Sequence, residues 1–535
     1  MRVIGNNVDT PYEINIPNNS GSVIYDGRVL VMEEDGTLNY HNESKTQAAG
    51  SVSTISTYAK DESNYWNKKS IIYIPRDNKI VVSYNTQQGG QNDTLKYRVG
   101  TVNYDNSFTW GTENTIVSPG QAPAFAELCY DPDQNSIFCV YQKGNGNYGL
   151  ACKAGTLSGT TITWGNELDL DTTTASGGCS DCTVAYSDSA RQMLVVYSNN
   201  SNNHTRAIPV TISGNVCTAQ SYYPIVSPAT QHPVLTFDKY YKRFVLAGFN
   251  DSSAQVFSKG ISLQGFTIQL GSTNGFSQGV NSTGQLSGKF CEGTGSHCFT
   301  YVSSDVGSSG QGETLTVKFV DSGGGFGGSE SLETIQSIAT FHSAATAYLS
   351  TAWDTSVSSG TYQGMFQMFY TDDADSDKLK VVGCEVNENS VGNGPTTTNF
   401  TNEFTLYDTH PVQHPGAACH IDPLGKSVVV FIVSSQVLYA LAYQSSDTHT
   451  LTRDNYIGVA KGNSINGQRV KIITRGGVTP VSSSSNYKVG ENYNVYGHVQ
   501  DPQEIAGNGQ TDYSLNRPSV PVGTAISTFQ MLIKV

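Results

Sequence analysis

Charge is scarce in this chain. Asp, Glu, Lys and Arg make up 14% of its 535 residues, against about 25% in ordinary globular chains. Basic groups are the scarcer sign: 31 Lys and Arg against 45 Asp and Glu leave a formal net charge of −14. Without a Lys/Arg cluster to override that balance, a phosphate-binding surface is excluded, and with it nucleic acid as a partner. No run approaches the ~20 apolar residues of a membrane span, so no membrane insertion is expected. The opening Met1-Arg2-Val3-Ile4-Gly5-Asn6-Asn7 lacks the apolar stretch of a signal peptide, which predicts synthesis in a cytoplasm. Helical periodicity is almost absent. So are a Ser-His-Asp order, a phosphate-binding Gly loop and a Rossmann fingerprint.

What the chain has instead is Gly (54 residues), many Ser, Thr, Asn and Gln, and 30 Tyr with 20 Phe. That composition suits short strands and tight turns with enough aromatic surface to bury. An aromatic or large apolar residue opens a turn seven times, and a strand follows. The clearest copies run Tyr73 to Tyr84 and Tyr130 to Tyr141; Tyr186 to Tyr197, Phe290 to Tyr301 and Ile421 to Ile432 keep the same interval of 11. Phe237 to Phe249 is irregular, and Trp353 to Tyr370 carries an insertion. Successive openers are 51 to 68 residues apart, the mark of a repeat architecture.

The second repeat reads as four strands: Ala124–Tyr130, Ser136–Gln142, Tyr148–Leu157 and Thr161–Leu168. Thr109-Trp110-Gly111 in the first repeat matches Thr163-Trp164-Gly165 in the second. Four strands in about 50–60 residues, repeated radially, make a propeller blade, and a closed ring leaves no long free edge. The expected fold is all-β: a seven-bladed β-propeller over residues 64–454, with a small β-domain formed by the N- and C-terminal segments, 1–63 and 455–535. The larger fifth and sixth steps predict longer loops there.

The blade pattern, with Tyr130-Asp131-Pro132 opening a turn and Gly155-Thr156-Leu157-Ser158-Gly159-Thr160-Thr161-Ile162-Thr163-Trp164-Gly165 closing, resembles repeats in β-propeller virion proteins of tailed bacteriophages, notably marine ones. The C-terminal segments Tyr456–Gly462 and Gly467–Ile472 resemble a module at the end of such proteins. Gly490–Gly497 and Val522–Ser527 stand where that module has two further conserved stretches, the first departing by one Tyr and an Asp-Gly turn. Asn6–Pro11 and Asp26–Val31 are similar to their N-terminal segments. The resemblance implies a virion structural component, of the tail fibre, tail-tip or head-decoration type.

Several chemistries can be weighed. A sialidase-like propeller would need a central Arg cluster, but Arg76, Arg98, Arg191, Arg206 and Arg243 stand in unlike positions, and the boxes ending at Trp110 and Trp164 are degenerate. Asp373, Asp375 and Asp377 have the spacing of calcium-loop ligands, yet Lys378 replaces the turn Gly and Cys384 the closing Glu; a solvated turn between two strands is expected. His410 and His414 flank Pro411 and precede Pro415, which argues against a helix; with His420 they read as loop and strand residues. Cys179-Ser180-Asp181-Cys182 is a lone CxxC without partners for zinc. The ten Cys read as buried thiols, with Cys129–Cys139 and Cys291–Cys298 as the pairs that could face across a hairpin. Gly323–Gly328 reads as a long loop. No catalytic residue, cofactor or metal is predicted.

The functional expectation is a non-enzymatic virion protein whose propeller displays a rigid surface for host attachment or assembly. Capsid decoration and a glycan-degrading propeller are the alternatives. Expected partners are other virion proteins of tail or capsid, a host surface glycan or receptor, and further copies of the chain; the expected location is the virion. Loop aromatics that could stack on sugars are Tyr65, Trp66, Tyr148, Tyr222, Tyr223 and Tyr362.

Overall fold

The computed structural model describes residues 47–60, 68–86, 94–103, 106–118, 123–144, 148–172, 178–201, 203–250, 255–279, 286–292, 294–303, 310–319, 334–359, 362–387, 396–421, 424–433 and 436–445 of the ring, together with strands at 12–17, 29–32, 38–40, 456–461, 469–475, 478–480, 492–496, 498–500, 520–527 and 530–533. It is a seven-bladed, all-β propeller.

The inner strands of blades 1 to 7 are Ser70–Ile74, Ala124–Asp131, Cys179–Ser187, Thr230–Asp238, Ser287–Cys291, Thr346–Ser359 and Val412–Ile421. Each continues outward as an antiparallel meander. In blade 2 the second strand is Ser136–Gln142, the third Leu150–Ser158, and the outer strand is broken into Thr161–Trp164 and Leu168–Asp171, both paired with the third. Simple apolar/polar alternation does not describe these strands. Ser136–Gln142 is buried at every position. Phe138 and Val140 pack toward blade 3, Ile137, Cys139 and Tyr141 toward blade 1. The period of two survives, but both faces are core because blades stack face to face.

The break in the outer strand has a steric cause. A Cβ on Gly165 would lie 1.9 Å from the carbonyl oxygen of Asn215, in the outer turn of blade 3. Asn215 also donates its amide to the Thr163 carbonyl at 2.9 Å. Gly111 stands in the same relation to Thr160 of blade 2, and its Cβ would come within 2.4 Å of the Thr160 Cβ. The Trp-Gly pairs of the sequence therefore mark where one blade's turn crosses its neighbour's edge.

A second repeat device sits at the inner hairpins. A residue of positive φ directly precedes the second strand in six blades, Asn78, Asn135, Arg191, Lys242, Gly295 and Gly425, and in blade 6 the equivalent Gly364, two residues before the partner of Trp353, lies inside the lengthened strand. In blade 2, Asp131 Oδ1 accepts from the amides of Asp133 and Gln134 at 2.9 and 3.0 Å, and the Tyr130 hydroxyl donates to Asn135 Oδ1 at 2.7 Å. This register corrects the seventh repeat. Tyr73, Tyr130, Tyr186, Phe237 and Phe290 each face the second residue of the next strand, Trp353 faces Phe366, two residues after the positive-φ Gly364, and in blade 7 that place belongs to His420, opposite Ser427. The interval of 11 runs from His420 to Phe431, one residue earlier than Ile421 to Ile432. The insertion after Trp353 is a lengthened hairpin that ends at Ser359 opposite Tyr362.

Blade 7 is completed by residues from the other end of the chain. Val437–Gln444 pairs with Ala48–Ala49 and with Ser53–Ser56. Residues 48–56, which the sequence reading placed in the N-terminal flank, thus form the outer strand of the ring. Blade 1 holds this strand: Arg98 donates to the carbonyls of Thr54 (3.2 Å) and Ile55 (2.8 Å), and Trp110 Nε1 donates to Ser53 Oγ at 3.0 Å. Outside the ring, Tyr12–Pro17 pairs with Arg469–Arg475, and Val29–Met32 with Tyr456–Lys461, so both flanks share one sheet. A second sheet is built from Val478–Pro480, Gln530–Ile533, Val520–Ser527, Asn492–Tyr496 and His498–Gln500.

Candidate functional site

All ten cysteines are free thiols, and all but Cys129 are buried. Cys129 faces Phe138 across its hairpin, and Cys139 faces Leu128, so those two are not a directly opposed pair. Cys291 faces Ser296 and Cys298 faces Lys289, so those two are not directly opposed either, and the Cys291 thiol points to the Lys289 carbonyl at 3.9 Å. Burial pushes the Cys129 thiol up to about 12.

Of the loop aromatics, Tyr65, Trp66 and the side chain of Tyr362 lie outside the described residues, as does the Gly323–Gly328 segment. Tyr148, Tyr222 and Tyr223 are 41, 50 and 46% exposed, and the boundary between blades 2 and 3 connects them. At its centre is Asp171, a buried residue of blade 2. Its Oδ2 accepts from the Tyr197 hydroxyl at 2.7 Å, from the Arg206 guanidinium at 2.9 Å and from the Asn199 amide at 3.2 Å. Arg206 lies 3.8 Å below the Tyr222 ring centroid, a cation–π contact that fixes an exposed ring on a buried base. The Cys179 thiol also bonds Asp171, and the Cys179 amide donates to the Tyr148 carbonyl at 2.8 Å. Tyr223 follows directly and faces Ala207 across the blade edge. Burial alone would lower the pKa of Arg206; its partners, Tyr197 first, outweigh that and raise it.

The basic residues are less scattered than Arg alone suggests. Arg206 stands opposite Tyr197 on the neighbouring strand, the register that Lys96 occupies opposite Tyr84 and Lys380 opposite Tyr370. Counting Lys with Arg at that position would have exposed the pattern in the sequence.

The acidic turn is also more structured than expected. Asp372 is buried, accepts from the Ala374 amide at 3.0 Å and pairs with Lys380 at 2.6 Å. Lys378 pairs with Asp375 at 2.9 Å. With His342 and Glu403, Asp372 forms a cluster whose ligand-type atoms lie within 4.8 Å. Lys380, 3.3 Å from Glu403, already places a cation against these carboxylates. His410 is exposed in a bend, His420 Nε2 lies 3.3 Å from Asp354 Oδ1 in the blade 6–7 seam, and the His414 side chain is outside the described residues.

Comparison with protein-family models finds no match, and comparison with curated proteins finds none either. Solved structures do match. AofleA from Arthrobotrys oligospora is 9% identical, with a TM-score of 0.39 over 73% of this chain and 96% of that one. Hydrazine synthase from Kuenenia stuttgartiensis is 9% identical, with a TM-score of 0.42 over 70% and 95%. The Dos1 propeller is 10% identical, with a TM-score of 0.41 over 76% and 97%. The set mixes an enzyme with proteins whose names state no activity, at identities that leave this chain's chemistry open.

Proposed function

We propose that this protein is a non-enzymatic structural component of a tailed-phage virion, and that its propeller is an attachment surface on the tail. The observation that carries the reading is the tyrosine surface at blades 2 and 3. Exposed rings are costly to order unless something beneath them already fixes their position. Here Arg206 and Asp171 do so before any ligand arrives, which suits stacking on the apolar faces of sugars in a host envelope. The sequence resemblance to phage propellers supplies the virion context. The sheet shared by the two flanks gives a docking element separate from the blades, suited to other virion proteins or to sister copies.

Two measurements test this. Immunogold labelling with antibody against the protein should decorate tails of the virions whose genome encodes it; label confined to capsids would support head decoration instead. Fluorescent protein should bind the host cell surface, and Tyr222→Ala with Tyr223→Ala should remove most of that binding. Unchanged binding by the double variant would reject the tyrosine surface, and release of oligosaccharides from host polysaccharide would reject the non-enzymatic reading.

A further inference from the structure

The inner strands of all seven blades line one central cavity of about 370 Å³, within the range of about 300–1,000 Å³ typical of small-molecule sites. We propose that this channel binds a small, hydroxyl-rich monocarboxylate of the sugar-acid class, anchored by the Lys289 ammonium. The inference is independent of the attachment reading.

The argument starts from charge. Lys68 and Glu127 form an ion pair in the channel, and Thr183 Oγ1 donates to the second Glu127 oxygen at 3.3 Å. Burial would lower the Lys68 pKa, but Glu127 outweighs it and the net shift is upward. Asp181 lies 3.9 Å from His232 Nδ1. These carboxylates are therefore matched by cationic or ionisable partners within the channel. Lys289 is different: among the described residues no hydrogen bond or ion pair reaches its ammonium. It occupies in blade 5 the register held elsewhere by Ile72, Cys129, Ala185, Thr236, Ala352 and Cys419. One cation thus stands in a layer of small or apolar side chains. Burial lowers its pKa, with Cys419 and Glu127 opposing, as desolvation of an unanswered cation requires.

An incoming monoanion would supply the missing charge. The adjoining layer offers hydroxyls on four of the seven strands: Ser70, Thr183, Ser287 and Ser350. Ser287 Oγ also contacts Thr351 Oγ1 at 2.8 Å. With Glu127 of the same layer already held by Lys68, uncharged hydroxyls beside the one remaining ammonium fit a ligand with one carboxylate and several OH groups. A phosphate dianion would bring a second negative charge toward Glu127 and Asp181.

The test is calorimetry on the full-length protein with sodium glucuronate, glucose and inorganic phosphate. Glucuronate should bind saturably, and glucose and phosphate at least about tenfold more weakly. Lys289→Met should weaken glucuronate binding by about tenfold or more, the scale of a lost hydrogen bond to a charged group. Wild-type affinity should fall as rising pH discharges the amine. Absence of saturable glucuronate binding, equal binding by the Met variant, or equal affinity for phosphate would each overturn the proposal. If circular dichroism shows that Lys289→Met does not fold, reductive methylation of the wild type decides. Lys289 should be protected by glucuronate, and modification at an unchanged rate would overturn the assignment.

Discussion

The Tyr84 hydroxyl donates a 2.7 Å hydrogen bond to Glu113, joining the second strand of blade 1 to the break in its outer strand, between Phe108–Trp110 and Asn114–Val117. Lys96, opposite Tyr84, pairs with the same carboxylate. The arrangement recurs as Tyr141–Glu167–Lys143, Tyr197–Asp171–Arg206 and Tyr370–Glu403–Lys380, and the Tyr301 hydroxyl meets Glu313 in blade 5. A buried phenol, an acid and a cation thus satisfy one another within blades 1, 2 and 6 and across the boundary of blades 2 and 3.

Removing the hydroxyl alone takes one donor from Glu113, whose side chain is 31% exposed and keeps Lys96. Tyr84→Phe is expected to cost about 0.5–1.5 kcal/mol, read as a lower midpoint in urea with an unchanged slope.

The acids of these groups give the fold a defined acid sensitivity. Burial would raise the pKa of Glu113 and Glu403, but Lys96 and Tyr84 in one case, and Tyr370 and His342 in the other, outweigh it, and both shifts are downward. An acid with a depressed folded pKa contributes stability above its unfolded value, about 4.3. That contribution is lost as pH falls through the lower folded value. Thermal midpoints should therefore drop steeply below about pH 4.3, and Glu113→Gln should flatten the drop while lowering the midpoint at neutral pH.

Lys380 meets Asp372 at 2.6 Å with both side chains about nine-tenths buried or more. Lys380→Met strands the Asp372 charge, and breaking a buried pair this way costs about 3–5 kcal/mol. The loss should appear in denaturant titration, and Lys380→Met with Asp372→Asn should recover part of it.

Arg191 holds a φ of 52° at the position that blades 5, 6 and 7 fill with glycine. Its ion pair with Asp133 is 3.3 Å long, and the side chain is 79% exposed, so little is lost with it. Arg191→Gly should leave stability unchanged or raise it by up to about 1 kcal/mol, because left-handed backbone strains an L side chain by roughly 1–2 kcal/mol. A clear loss of stability would show that Arg191 does more than complete the turn.

The blade count and the inner hairpins were legible in the sequence because each opener sits at a fixed interval from a buried strand residue. Blade 7 slipped by one residue for a physical reason. Ile421 looks like an opener by hydrophobicity, whereas the register is set by the left-handed Gly425 before Lys426. Ring closure could not be read, since pairing of Ala440 with Ser53 leaves no periodic trace across the whole propeller. The site was visible only in part. Tyr148, Tyr222 and Tyr223 are exposed as the loop positions suggested, but their link through Asp171 and Arg206 depends on two blades meeting. Lys289 carries no motif at all; its isolation is a property of seven strands seen together.

The outer strand of blade 7 also sets the order of events during synthesis. Residues 48–56 leave the ribosome before any blade, yet their partner, Val437–Gln444, is made only after the inner strands of all seven blades; the Gln47–Tyr443 hydrogen bond spans 396 positions. Until then the first-made strand has no mate and the growing stack keeps an open edge, a state exposed to mispairing. Contacts of such separation form slowly. Once the clasp shuts, opening the ring means peeling that strand away from both blade 7 and the Arg98 clamp, so the closed ring's endurance rests on an unfolding rate as much as on an equilibrium.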